Sequence, residues 1–471
     1  MLDWRFGLQQ EENNDMKNRL LSILLISFIC LNLKSYGQEN ILYFLGNTPQ
    51  SNHINPAHFT DRSKVVINLP LLSGFDISLN NSFSFSDLVT IDNKTLKIDL
   101  NDFSSRLPET IYLSENYKMP LFDFHLRLKN RSFSFGIFEN QLLRSGFDRN
   151  LIRLINEGNY PWLGSSVSTN FDFNFLHYRE YSFGYSQPII ENLTMGSRVK
   201  LLTGLSVFDV QQMNIDIETG GNMEFLKFNA TGSYNISQPF SLGFIDNGNP
   251  DGNTTDVVKY LTNFSNLGVA FDFGVKYQLL PSLEISASII DLGFISWKSN
   301  AQRISHSSNF IWEGFNLSNI TNQAGFDEAP YLAPLRALLD SVDEILDFTV
   351  EQTSFNTNIP TKIYLATSYQ VGKIFEAGLI DRLLIYDNQI SNALTLSGNL
   401  KLGTVFSLSA GYSIIDNSYN NLSLGTALKL GPTQFYLLTD NILAINLMTA
   451  QNFNFRFGMN LMFGKVKSDE Q

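Results

Sequence analysis

Cysteine is almost absent: the 471 residues contain one, Cys30. It lies in a stretch that reads as an export signal and is expected to leave with it. Met16-Lys17-Asn18-Arg19 is a short basic region, and Leu20 to Leu33 is a mostly apolar run. Ser35 and Gly37 then flank Tyr36 at the spacing a signal peptidase needs, so cleavage is expected before Gln38. Residues 1–15, with Asp3, Glu11, Glu12 and Asp15, are too acidic for the basic region, which makes Met16 the expected start. Phe28-Ile29 in front of Cys30 lacks the small residues of a lipoprotein cleavage site, so no lipid anchor is expected. The chain from residue 38 onward can then form no disulfide, thiolate nucleophile or cysteine metal site.

Positive charge and long apolar runs are also scarce. Lys and Arg number 33 against 45 Asp and Glu, for a net charge of −12 that loss of residues 1–37 leaves unchanged. Nucleic-acid binding needs a basic footprint and is not expected. Past the signal no segment is long and apolar enough for a membrane-spanning helix. Aromatic residues, by contrast, are plentiful: 39 Phe and 13% aromatic overall, at a near-neutral mean hydropathy. Apolar residues interleaved with polar ones produce that combination.

The interleaving has a period of two. Phe453, Phe455, Phe457, Met459, Leu461 and Phe463 alternate with Asn454, Arg456, Gly458 and Asn460. Successive side chains of a strand point to opposite faces, so one face is apolar and the other wet. Phe75, Ile77, Leu79, Phe83 and Phe85 share one parity, and Phe122, Phe124, Leu126 and Leu128 oppose Asp123, His125, Arg127 and Lys129. Val199, Leu201, Leu205 and Val207 oppose Arg198, Lys200, Gly204 and Ser206. The odd positions from Leu267 to Tyr277 oppose Gly268, Ala270, Asp272, Gly274 and Lys276, while Leu283, Ile285, Ala287 and Ile289 oppose Glu284, Ser286 and Ser288. Several runs reach the ~9–11 residues of a tilted membrane strand, beyond the ~5–6 usual in soluble sheets.

The expected fold is all-β, a transmembrane antiparallel β-barrel with lipid outside and polar side chains inside. Long connections at 87–118, 140–167, 237–265 and 298–360 fall on one side, and tight turns at 129–131, 280–282 and 431–432 on the other. This is the asymmetry of outer loops and periplasmic turns. Counting through the loops gives roughly 16 strands, or about 14 if the pair near 209–219 and 222–236 is a hairpin above the membrane. The chain divides into an extension and cleaved signal (1–37), an N-terminal plug segment (38–62), the barrel (63–464) and a periplasmic tail (465–471). Two stretches, 148–156 and 334–348, switch to helical spacing and are expected to cap the outer mouth.

Candidate chemistry is thin. Inward parity collects Asp123, His125, Arg127, Arg198, Lys200, Asp272, Lys276, Glu284 and Arg456 as lumen-lining residues. Their mixed signs suit a plugged or narrow lumen better than a selective pore, which shows rings of one sign. His53, His58, His125, His177 and His306 have no site spacing with carboxylates in sequence, so no metal and no cofactor are expected. The Asp246–Asp256 loop matches the first half of a calcium loop, but Val258 stands where the bidentate acid belongs. A hydrolase triad would need a nucleophile motif, and none is present; catalysis is not expected. Phe463, aromatic and near the end, reads as an assembly signal for the barrel-assembly machinery.

Two resemblances follow from particular residues. Asn55-Pro56-Ala57 resembles the Asn-Pro-Ala element of FadL-like barrels, a group that includes hydrophobic-compound transporters with an N-terminal plug. Gly196–Gly204, Ser286–Trp297, Ile359–Tyr369, Thr439-Asp440-Asn441 and Asn454–Gly464 resemble segments of an uncharacterised outer-membrane family of Bacteroidota, a domain of unknown function. Together they imply an outer-membrane location, contact with outer-membrane lipid, and passive uptake of a small hydrophobic ligand past a plug. A docking barrel of a secretion or surface-anchoring machine is the alternative, and an outer-membrane lipid hydrolase ranks third.

Overall fold

The computed structural model describes residues 40–45, 48–58, 63–68, 74–92, 95–98, 100–238, 260, 262–312, 348–387, 389–415, 418–445 and 451–465. The export signal, the 246–256 loop, the 334–348 helix up to residue 347, and the tail past 465 lie outside them. Val-, Ile- and Phe-rich alternation yields strands throughout, in chain order β1 (Ser63–Asn68), β2 (Phe75–Asn81), β3 (Val89–Asp92), β4 (Thr95–Ile98), β5 (Thr110–Leu128), β6 (Arg131–Asp148) and β7 (Ser165–Ile190). Next come β8 (Leu193–Thr219), β9 (Leu226–Ser237), β10 (Asn266–Leu280), β11 (Leu283–Trp297), β12 (Ala301–Trp312), β13 (Phe348–Gln352) and β14 (Phe355–Asn358). The last are β15 (Thr361–Val371), β16 (Phe375–Tyr386), β17 (Gln389–Leu402), β18 (Phe406–Ile415), β19 (Ser418–Leu430), β20 (Thr433–Thr439) and β21 (Asn452–Lys465).

The sheet closes on itself. β1 and β2 lie end to end between β5 and β21: Ile67 pairs with Phe124 and Leu461, and Ile77 with Tyr117 and Phe455. β9 and β10 likewise follow each other along β8, β11 runs on into β12, and β13, β14 and β15 form one interrupted strand. Merging these gives a ring of 14 positions, every neighbour antiparallel. Residues 209–219 do pair with the strand after them, Thr219 with Leu226. They are the upper ends of two ring strands, which is why the loop-based count overshot by two.

Strands run further than their alternation indicates. β7 has 26 residues and β8 has 27, and β6 up to Asp148, β12, β13 and β14 make parts of 140–167 and 298–360 sheet, not loop, among the described residues. Phe83 and Phe85 do not continue β2. Phe83 turns into a small cluster with Leu88, Phe103, Leu107 and Ile111, and Ile152 packs on it. Ile152 belongs to the helix Arg149–Glu157, which forms where helical spacing was read, and the β3–β4 hairpin stands beside the same cluster.

Bulges also break the parity, and two of them fall beside the inward candidates. His177 pairs with Ser206 but Tyr178 with Gly204, so Leu205 is an extra residue; it and Val207 are buried instead of facing lipid. In β11, Phe271 pairs with Leu292 and Phe273 with Ile289, and Asp291 takes φ +62°. That bulge turns both Ile290 and Asp291 inward. Elsewhere the outward face is apolar and exposed, as at Val199, Leu201, Phe273, Leu365, Leu396 and Phe435. An apolar band of that extent requires lipid.

Candidate functional site in the barrel lumen

The lumen is filled in layers, starting from the short-turn end. Ile41, Leu42, Phe44 and Leu45 are almost fully buried against inward residues such as Ile380, Ala427 and Leu438. Asn40 donates to Thr395 Oγ1 at 2.8 Å, Gln50 Nε2 to Asn460 Oδ1 at 2.6 Å, and Tyr43 is hydrogen-bonded to Ser286. Residues 40–45 and 48–58, the inner segment, therefore lie inside the ring. Its helix, Asn40–Phe44, is too short to be stable alone, so the wall contacts hold it.

Asn55, Pro56 and Ala57 occupy the tightest approach to the wall. Gly196 and Gly274 face each other across β8 and β10, and together they clear a floor for these residues. A Cβ on Gly274 would overlap the Asn55 carboxamide oxygen and stand 2.8 Å from Pro56 Cδ; one on Gly196 would stand 2.7 Å from Ala57 N. Asn55 then bonds both ways: Nδ2 donates to Val275 O at 3.2 Å, and Oδ1 accepts from Ala57 N at 2.9 Å.

Above this floor lies a buried charge layer. Lys200 Nζ stands 2.9 Å from Asp272 Oδ2 and 3.7 Å from Glu180 Oε1, and it also contacts Asp291. Arg198 reaches Asp272 at 2.9 Å and the carbonyl of Asn52 in the inner segment at 3.0 Å. Lys118 closes on Glu180 at 3.5 Å. Three cations thus meet three carboxylates with no net charge, a condition for burying them at all. Asp272 is fully buried and Lys200 is 1% exposed.

The other inward candidates fall in separate places. Asp123 and His125 lie together at the inner segment, Arg127 bonds the Lys129 carbonyl at 3.0 Å, and Arg456 pairs with Asp76. Lys276 and Glu284, 3.6 Å apart, are half-exposed near a short turn. His177 and Glu139, 2.8 Å apart, face outward with Arg179. Lys118, Glu180 and Asp291 belong to the charge layer but were not found from sequence. Asp291 has lipid-facing parity, and an acid at such a position was the available sign that a bulge turns it inward.

Toward the outer mouth the lining becomes apolar. Leu176, Tyr178, Leu202, Trp297, Phe355 and Tyr386 form one buried cluster of inward side chains. Trp297 donates to Thr357 Oγ1 at 3.1 Å and Tyr386 to Asn174 Oδ1 at 2.6 Å, so their polar atoms are satisfied and the rings present apolar faces. In the opposite direction, a depression of about 470 Å³ opens on the lipid side of β10, β11, β15 and β16. Its lining is mainly apolar (Val275, Tyr277, Ile285, Leu365, Leu379, Leu394), with the inward Ser286 and Ala366 also bordering it.

The Family of unknown function (DUF5723) matches residues 56–440. Among solved structures, the chain is similar to the Ralstonia pickettii toluene transporter TbuX, with 9% identity over 92% of this chain and 100% of that one and a TM-score of 0.42. It is also similar to the monoaromatic hydrocarbon channel CymD (10% identity, 92% and 97% covered, TM-score 0.41). A Pseudomonas aeruginosa FadL homologue gives 10% identity, 92% and 98% covered, and a TM-score of 0.39. No curated protein matches.

Proposed function

We infer, for a chain that belongs to the Family of unknown function (DUF5723), that the barrel sits in an outer membrane and passively admits a small hydrophobic compound. The carrying observation is the aromatic and aliphatic cluster at Trp297, Tyr178 and Tyr386 on the outer side of the buried charge layer. A water-filled pore has no use for such a lining, whereas a hydrophobic ligand entering from outside meets it first. Below it, the charge layer and the segment 40–58 act as a plug against water and ions. The ligand leaves when the plug shifts or through the wall, where the 470 Å³ depression abuts Ser286 and its bond to Tyr43.

A second reading has its own support. β7 and β8, at 26 and 27 residues, rise far above what the membrane needs, and with β9 and β12 they make a stiff wall outside it. A docking barrel would use that wall. Native mass spectrometry of the detergent-purified protein, after exposure to small aromatic and aliphatic compounds, separates the two. Uptake expects one apolar molecule retained per barrel and lost in Trp297→Ala. An empty barrel with a stoichiometric protein partner would sink the uptake reading.

A further inference from the structure

We propose that His53, Asp123 and His125 form a divalent transition-metal site that clamps the inner segment to the barrel wall. Asp123 and His125, two apart on β5, share the inward face, and His53 comes from the 3₁₀ turn Pro49–His53 of the inner segment. His53 Nε2 stands 3.2 Å from Asp123 Oδ2, and His125 Nε2 stands 3.3 Å from the same oxygen. Donors at 2.0–2.1 Å from a tetrahedral zinc lie about 3.3 Å apart, so two edges already match. The third lies within 4.8 Å, so a ring movement of up to about 1.5 Å closes it.

His53 reaches the Asp123 carboxylate across the boundary between the inner segment and the wall. Its Nε2 is buried and has no well-directed partner among the described residues, although a carboxylate oxygen is 3.2 Å away. Asn68 Nδ2 donates to Asp123 Oδ2 at 2.7 Å and orients the carboxylate, as outer-shell partners of metal ligands do. Neighbouring cations already have anions: Lys118 has Glu180, Arg198 has Asp272 and Arg456 has Asp76. Two imidazoles and one carboxylate select zinc or a similar ion over magnesium or calcium, with a water or exogenous donor completing the shell.

The site bridges residues 70 positions apart, which is why histidine spacing did not disclose it. It is independent of what the barrel passes. The test uses the full, tag-free protein stripped with EDTA and titrated with Zn²⁺ or Co²⁺. One ion per chain is expected, with tetrahedral visible bands for Co²⁺, lost in His53→Ala and in His125→Ala and kept in His58→Ala and His306→Ala. Heat-dependent mobility on gels confirms that each variant is a folded barrel. Zn²⁺ should also slow hydrogen exchange in peptides covering 40–58 at least tenfold in the wild type and not in His125→Ala. Metal uptake unchanged by either substitution would mark an adventitious ion and overturn the site. Stoichiometric binding without slowed exchange would overturn the clamp.

Discussion

A single methyl group at Gly274 should lift the inner segment off the wall. In Gly274→Ala the new carbon would stand 2.8 Å from Pro56 Cδ, where carbon atoms rest at about 3.5–4.0 Å, so the Asn55-Pro56 turn must retreat by about 1 Å. Overpacking of this kind costs about 1–3 kcal/mol. The retreat also stretches the 3.2 Å bond from Asn55 Nδ2 to Val275 O, a loss of about 1 kcal/mol. The docked state therefore weakens by about 2–4 kcal/mol, or roughly 30- to 700-fold in population. Alanine is no worse than glycine in a strand, so the barrel itself should keep its heat-dependent mobility. Hydrogen exchange of peptides from 40–58 is the assay. Gly425→Ala is the control: its added carbon also faces the inner segment, but its nearest neighbours are 3.4 Å (Leu438 Cβ) and 3.6 Å (Leu45 Cδ1) away. Equal exchange in the two variants would refute the reasoning, because it would mean that the glycine-cleared floor does not position the segment.

Other outcomes follow from the layers. Lys200→Met leaves Asp272, Asp291 and Glu180 facing only Arg198 and Lys118 and should destabilise the folded barrel by about 3–5 kcal/mol; thermal melts in detergent read this, and adding Asp291→Asn should restore part of it. Trp297→Ala removes a fully buried ring, so it should cost about 3–5 kcal/mol of folding stability as well as weakening retention of an apolar fluorescent probe about tenfold or more; heat-dependent mobility on gels shows which molecules are still folded barrels. Phe463→Ala should lower the amount of folded barrel in the membrane fraction of expressing cells while leaving detergent-refolded protein intact. An equal loss in both would assign Phe463 to stability instead of assembly.

Most of the wall could be read from parity alone. Arg198, Lys200 and Asp272 have inward numbering and are buried, and the Phe-rich odd positions of β21 face out. Reading failed where the backbone leaves the strict period. The bulges at Leu205 and Asp291 shift later side chains by one face, and Phe83 leaves the strand for a helical cap. Contacts across the lumen were equally invisible. Asn52 to Arg198, Asn55 to Val275 and His53 to Asp123 join an inner segment to strands that no local rule links to it.

By itself the sequence determined a membrane barrel, because a side-chain period of two with one apolar face is a local property of a strand and only lipid accepts it at this length. It also determined that nothing after Cys30 depends on cysteine. Only the tertiary structure decided that the ring has 14 positions, which wall residues the inner segment touches, and that opposite charges and two histidines meet there. Those are consequences of closure. Once the first strand pairs with the last, residues far apart in the chain share one narrow interior, and their chemistry depends on which of them face each other across it.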